Sequence, residues 1–151
     1  MSTTVTAPTQ AGSRTRLLSW PVIAWGLWDW GSAAFNAVIT TFVFTVYLVS
    51  DSFGAKADNE SALSLGLAIA GLFIALLAPV TGQRSDRGGR TVFWLGGYTA
   101  VVVAVSAALF LVRPEPGYLW LGIALLGVGN IFFELASVNY NAILNHLASK
   151  D

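Results

Sequence analysis

Residues 20–49 read WPVIAWGLWDWGSAAFNAVITTFVFTVYLV, an apolar stretch that contains one charged residue, Asp29. A helix that crosses the ~30 Å hydrocarbon layer of a membrane needs about 20 mainly apolar residues. The stretch exceeds that length, and it is also much longer than the roughly 7 to 15 apolar residues of a secretory signal peptide. We therefore expect it to stay in the membrane as a long or tilted transmembrane helix.

Three further segments of the 151-residue chain are long and apolar enough to cross a membrane. The four expected transmembrane helices cover about 21–49, 63–81, 91–112 and 118–143. Hydrophobic residues make up 55% of the chain and charged residues 11%, whereas soluble domains carry about 25% charged residues. The composition and the spacing of these segments predict an all-α fold, a polytopic bundle of four transmembrane helices.

The distribution of Lys and Arg predicts the orientation of the bundle. Cytoplasmic loops retain positive charge, and the basic residues fall mainly in 1–19, 82–90 and 149–151. We therefore expect an integral, multi-pass protein with both termini in the cytoplasm, in the cell membrane if the source is prokaryotic. Residues 1–19 have the composition of a disordered tail. The apolar composition makes the lipid bilayer the expected partner, and the net charge of zero leaves no basic excess that would suggest nucleic acid.

Two residue classes inside the spans have structural interpretations. Trp20, Trp25, Trp28 and Trp30, near the start of the first span, are typical of interfacial anchors, which we favour over ligand stacking. Small residues permit close approach of helices in lipid. The small residues that predict such packing are Gly66, Ala70, Gly71, Gly96, Gly97, Gly122, Gly127 and Gly129.

Asp29 is the first candidate for function. It lies about nine residues into the first span, which corresponds to ~13 Å from the cytoplasmic end. An Asp at the centre of a membrane helix costs about 2.5 to 3.5 kcal/mol, so it requires a polar partner, a wet cavity or a proton. Ser32 and Asn36 follow at i+3 and i+7 on the same face. The three residues predict a pathway for substrate or protons; a buried hydrogen-bond network between helices, or a hydrated position near the interface, is the alternative.

The connection at 82–90 reads GQRSDRGGR. Its charge fits a cytoplasmic turn, and its G-x-x-x-D-R-x-G-R pattern resembles the loop between the second and third helices of the major facilitator superfamily. The resemblance implies a conformational latch formed by Gly82, Asp86, Arg87, Gly89 and Arg90. Glu134, about 16 residues into the fourth span, is expected near the depth of this loop, where it would pair with Arg87 or Arg90 and join the latch.

Two other stretches extend the resemblance. Residues 24–35, AWGLWDWGSAAF, together with TTFVF at 40–44, are similar to the autophagy-related, vacuolar-effluxer-like branch of that superfamily, and residues 132–144, FFELASVNYNAIL, are similar to its fourth helix. The resemblance implies that the four helices are the first part of the N-terminal half of a twelve-span transporter. It also implies alternating access, and amino-acid efflux in the fungal members.

The resulting functional prediction is the N-terminal portion of a transporter for small solutes such as amino acids, with protons as a further ligand and the remaining helices as partner. We expect the chain to be a fragment or truncated product. One alternative is a four-helix small multidrug-type proton antiporter that uses Asp29; another is a non-transporting membrane scaffold. With one His and no Cys, no catalytic residues, metal site or cofactor are expected, and the protein is not predicted to be an enzyme.

Overall fold

The computed structural model describes residues 20–148, with the side chains of Pro21 and of residues 85–88 and 144–148 outside that description. The predicted tail at 1–19 and the end at 149–151 therefore lie outside the described residues. The described range is helical almost throughout and contains no strand. Its elements are α1 (Trp20–Ala34), a π segment (Phe35–Val43), α2 (Phe44–Leu48), α3 (Lys56–Gly88), α4 (Thr91–Ala108) and α5 (Leu119–Ala148), with 3-10 turns at Asp51–Phe53, Leu109–Leu111 and Pro116–Tyr118.

Four helical stretches are long and apolar enough to cross a membrane: Val22–Leu48, Lys56–Arg84, Thr91–Leu111 and Pro116–Ile143. The all-α membrane bundle predicted from the sequence is thereby confirmed. We call α1, the π segment and α2 together the first span. The helix α3 is longer than the predicted 63–81 at both ends, because apolarity marks only the part of a helix that lies in hydrocarbon, whereas polar residues continue it into the interface.

The turn between α3 and α4 is shorter than predicted, because the expected connection at 82–90 has nine residues. Most of that connection is the last part of α3, which ends where Gly89 adopts φ +57°, ψ 16°. This left-handed conformation is open to glycine and strained for other residues. Gly89 therefore supplies the turn, and α4 begins two residues later, at Thr91.

The helix α5 is the central element, because α3, α4 and the first span all pack against it. Its contacts with α3 depend on small side chains: a Cβ added at Gly66 would lie 2.2 Å from the Ile123 Cγ2 atom, and one added at Gly127 would lie 3.7 Å from the Ala70 Cβ atom. The predicted small-residue packing is thus confirmed for this pair of helices. Gly71, Gly96 and Gly97 have no such neighbour within 4 Å.

The apolar core lies at one end of the bundle. It is formed by Leu48, Phe53, Leu63, Leu109, Val112, Leu119, Ile123 and Leu126. This is the end at which the first span enters α3 and α4 enters α5, so it is the outer end in the predicted orientation. The buried Asn59 closes the first connection there, since its Nδ2 donates to the carbonyl oxygens of Ser50 at 3.0 Å and Gly54 at 3.3 Å.

The π segment interrupts the first span just past its midpoint. Two threonine hydroxyls follow its five-residue hydrogen-bond spacing, because Thr41 Oγ1 donates to the Asn36 carbonyl at 3.0 Å and Thr45 Oγ1 donates to the Thr40 carbonyl. Such i→i+5 helix is rare and is found frequently at functional sites. Asn36, one of the candidate pathway residues, lies at its beginning.

Candidate functional site

An aromatic cluster joins the first span to α5 at the end of the bundle opposite the apolar core, which is the inner end in the predicted orientation. Tyr140 stacks on Trp25, with ring centroids 5.0 Å apart and planes at 7°, and on Trp28, with centroids 4.3 Å apart and planes at 26°. The prediction that Trp25 and Trp28 are interfacial anchors is therefore wrong, because their rings pack on another helix. Trp20 and Trp30 are 75% and 78% exposed, which agrees with the lipid-facing position expected of them.

Trp28 also links the first span to α4. Its Nε1 donates to Thr99 Oγ1 at 3.0 Å, and Thr99 Oγ1 in turn donates to the Leu95 carbonyl at 2.8 Å. One side chain thus contacts both neighbouring helices. The cluster fixes the rotation of α1 about its axis, and this rotation determines where Asp29 points.

Asp29 is exposed on the bundle surface beside this cluster. Its carboxylate acts electrostatically on the Tyr140 hydroxyl. Tyr140 is only 6% exposed, and neither its hydroxyl nor the buried Trp25 Nε1 has a hydrogen bond within the described part of the chain. Buried polar atoms without a partner are uncommon in folded proteins, and each one indicates strain, function or an additional ligand.

The three predicted pathway residues do not share one environment. Ser32 Oγ donates to the Asp29 carbonyl at 2.8 Å and lines an apolar groove of about 600 Å³ between the first span and α4. Asp29 and Asn36 are exposed and do not line this groove. The structure therefore groups Asp29 with Asn36 and leaves Ser32 at the edge of the groove.

A second polar row lies on α5, next to Tyr140. The row consists of Asn130, Glu134, Ser137 and Asn141. These residues follow one another at intervals of four, three and four positions, so they share a helix face. One flank of that face packs on α3 through Gly127, and the other stacks on the first span through Phe133 and Tyr140. The row and the exposed residues of the first span thus form one polar face, consisting of Asp29, Asn36, Asn130, Glu134, Ser137 and Asn141.

The ring contacts fix the relative depth of the residues on the polar face. Phe35 stacks on Phe133 with centroids 5.2 Å apart, so Asn36 lies level with Glu134. Trp28 stacks on Tyr140, so Asp29 lies at the level of residues 137–141 of α5. With a rise of 1.5 Å per residue, the two levels are about 10 Å apart along the helices. The polar face therefore extends into the membrane from its inner third.

The residues of the predicted latch are only partly described. Gly82 packs on α5, since an added Cβ would lie 3.4 Å from Val138 Cγ1, and Gly89 forms the turn. The Arg90 guanidinium lies over the Phe93 ring, 4.9 Å from its centroid. Asp86 and Arg87 belong to the end of α3, but their side chains lie outside the description, so their role in a latch stays a prediction.

The packing of α3 on α5 sets the depth of Glu134 relative to the predicted latch. Gly82 lies against Val138, and α3 and α5 run in the same direction, so Arg87 is level with about position 143. Glu134 is then ~13 Å deeper in the membrane than the Arg87 backbone. Among the side chains described, the ion pair is Lys56–Glu60 at 4.0 Å, and Glu134 does not pair with Arg90. Glu134 is thus part of the polar face, and its pairing with Arg87, whose side chain lies outside the description, stays a prediction.

Tyr140, Trp25 and Thr99 belong to the cluster around Trp28 but were not predicted from the sequence as site residues. The spacing of Trp25 and Trp28, at i and i+3, placed both rings on one helix face and was the available signal. Which helix would meet that face was not readable from the sequence. No three His, Cys, Asp or Glu side chains in the described chain come together as they would at a metal site.

The comparison with known proteins gives a partial match. The chain is similar to the uncharacterised MFS-type transporter YxiO of Bacillus subtilis (strain 168), with 31% identity over 125 residues. The aligned region is 80% of this chain and 28% of the relative, so the chain spans little more than a quarter of that protein. No protein-family model and no solved structure matches the chain. The four apolar helices indicate a multi-pass membrane protein, and over most of its length the chain is similar to part of an MFS-type transporter.

Proposed function

We propose that the chain is the N-terminal part of a major facilitator transporter that moves small solutes, such as amino acids, by alternating access. The observation that carries this proposal is the 31% identity to an MFS-type transporter over 125 residues. The four membrane-spanning helices and the GQRSDRGGR loop at 82–90 support it. The vacuolar-effluxer-like branch rests on the Asp-Trp opening of the first span.

The polar face supports a pathway on one side of the bundle. A carboxylate directed at lipid would cost about 2.5 to 3.5 kcal/mol. Asp29, and Glu134 about 10 Å deeper by helix rise, are both on this face, so we infer that it borders a water-filled cavity or further helices. The apolar core at the opposite end holds the helices together there, which leaves the inner part of this face as an opening toward the cytoplasm.

The test is a flux measurement on the protein expressed from its complete gene. Membrane vesicles that contain the protein are loaded with a mixture of ¹⁴C-labelled amino acids, and efflux is compared with that from vesicles lacking it. We expect protein-dependent efflux that Asp29→Asn reduces and Asp58→Asn, a change at an exposed residue of the first turn of α3, leaves unchanged. Equal efflux with and without the protein would contradict amino-acid transport.

A scaffold role is the second candidate, because Gly71, Gly96 and Gly97 are exposed and have no neighbour within 4 Å. Small exposed residues on membrane helices permit close approach of a further helix. Since the chain lacks cysteine, a single Gly97→Cys variant reports self-association through disulfide crosslinking. Crosslinked dimers together with an absence of flux would favour the scaffold over the transporter. Crosslinked dimers together with cation flux would instead favour a dimeric antiporter.

A further inference from the structure

We propose that Asp29 and Tyr140 form a binding site for the ammonium group of an organic cation that carries no carboxylate. This inference rests on the proposed transporter function and assigns a substrate class to the polar face. Asp29 supplies the negative charge, and the Tyr140 hydroxyl oxygen supplies a second acceptor. An ammonium group offers three donors and no acceptor, so it matches two acceptors that lie close together.

The state of Tyr140 is the first argument for a ligand. The side chain is 94% buried, as its 6% exposure shows, yet its hydroxyl has no hydrogen bond in the described part of the chain. The Asp29 carboxylate lies beside that hydroxyl, close enough for charge and hydrogen-bond interaction, but the two groups do not form a well-aligned hydrogen bond. A donor inserted between the two oxygens would satisfy both groups at once.

The aromatic rings are the second argument. Trp25 and Trp28 both stack on Tyr140, so a cluster of three ring systems lies next to the Tyr140 hydroxyl, on which Asp29 acts. Ring faces attract a cation within about 6 Å of the ring centroid, and tryptophan attracts it most strongly. A carboxylate next to aromatic rings therefore favours an organic ammonium ion over an anion.

The distribution of charge is the third argument. The described basic side chains lie away from the polar face: Lys56 pairs with Glu60, Arg84 is near Tyr98, Arg90 covers Phe93, and Arg113 is in the turn at the outer end. Glu134 adds a second carboxylate to the face. A substrate carboxylate would meet repulsion from both acidic residues and no described cation, so an amine without a carboxylate fits better than a zwitterion.

Direct binding tests this site independently of transport. The protein expressed from its complete gene is placed in lipid nanodiscs, and the binding of ¹⁴C-labelled 1,4-diaminobutane is measured with unlabelled leucine and glutamate as competitors. We expect saturable binding that leucine and glutamate displace at least about tenfold less well than the unlabelled diamine. Absence of saturable binding, or equal displacement by leucine, would overturn the proposal.

Two pairs of variants locate the site. Asp29→Asn should weaken diamine binding at least about tenfold, and Tyr140→Phe, which keeps the ring and its stacking, roughly three- to tenfold. The matched controls Asp58→Asn and Tyr118→Phe change an exposed carboxylate and a half-buried phenol elsewhere and should bind as the wild type does. If Asp29→Asn reduces the yield of folded protein, its binding result cannot be interpreted alone. Unchanged diamine binding in Tyr140→Phe would still contradict the site.

The outcome separates this inference from the proposed function. Amino-acid efflux without diamine binding would retain the transporter and reject the ammonium site. Diamine binding lost in both variants, without flux of any solute, would retain the site and reject the transporter. A flux whose pH dependence disappears in Asp29→Asn, with diamine binding unchanged, would make Asp29 a proton site and overturn the inference.

Discussion

Trp28 shows how one residue determines the position of a functional group. Its ring stacks on Tyr140 and its Nε1 donates to Thr99, so the residue connects the first span to α4 and α5. Asp29 is the next residue along the chain, and its direction follows from these contacts. A side chain expected from its sequence position to face the interface therefore acts as an internal support.

We predict that Trp28→Phe destabilises the folded bundle by about 1 kcal/mol, because the interhelical hydrogen bond is lost while an aromatic ring remains. Thermal unfolding in detergent, followed by tryptophan fluorescence, measures the effect. The control is Trp30→Phe, since Trp30 is 78% exposed and should be near neutral. Equal melting temperatures for the two variants would contradict the bracing role.

At the scale of the elements, the contact between α3 and α5 depends on the absence of a side chain. A Cβ at Gly66 would lie 2.2 Å from Ile123 Cγ2, and a β-branched side chain in a helix has little freedom to move away. The same contact sets the register between the two helices. That register in turn sets the depth of Glu134 relative to the turn at Gly89.

We predict that Gly66→Ala costs roughly 1 to 3 kcal/mol through overpacking. Gly71→Ala, on an open part of the same helix, should be neutral or stabilising by up to about 1 kcal/mol, because alanine is the better helix former. Chemical denaturation in mixed micelles measures both. The double variant Gly66→Ala, Ile123→Ala should recover part of the loss relative to the sum of its single changes, and strict additivity would argue against the clash.

The elements also show what the sequence could predict. Four spans followed from apolar length, and close packing between helices followed from small residues, because both are local properties of the chain. The environments of Trp25, Ser32 and Glu134 were not predicted, because they depend on which helices are neighbours and on the register between them. The π segment was not predicted either. Its five-residue spacing is visible in the hydrogen bonds from threonine hydroxyls to the backbone, whereas the periodicity of the apolar residues does not reveal it.

For the whole molecule, the packing is asymmetric. Its buried apolar core lies at the predicted outer end, whereas the inner end carries the aromatic cluster and the beginning of the polar face. The orientation itself is a prediction from the basic residues. It determines the side of the membrane from which the polar face is reached.

Since the chain lacks cysteine, single-cysteine variants test the orientation directly. We predict that Ser52→Cys reacts with a membrane-impermeant maleimide added to intact cells, and that Gln83→Cys reacts only after permeabilisation. Both positions are exposed, so they form a matched pair. The reverse pattern would place both ends of the chain on the outer side.

The same approach tests whether water reaches the polar face. We predict that Asn36→Cys and Ser137→Cys react with a charged methanethiosulfonate, because ionic reagents require a wet path and thiolates form in water. Val103→Cys, exposed on α4 and expected to face lipid, should stay unmodified. Protection of all three positions would mean that the polar face is covered by dry helix contacts.

The π segment has a mechanical consequence for the first span. Relative to an α-helix, it takes up an extra residue, so its conversion to α-helix would turn α2 against α1 by about 100° and shift it by roughly 1.5 Å. Leu48, at the end of α2, fits against Gly122, where an added Cβ would lie 2.5 Å from Leu48 Cδ2. That fit would be lost by such a turn. The contact between Leu48 and Gly122 in the outer core therefore prevents α2 from rotating relative to α1.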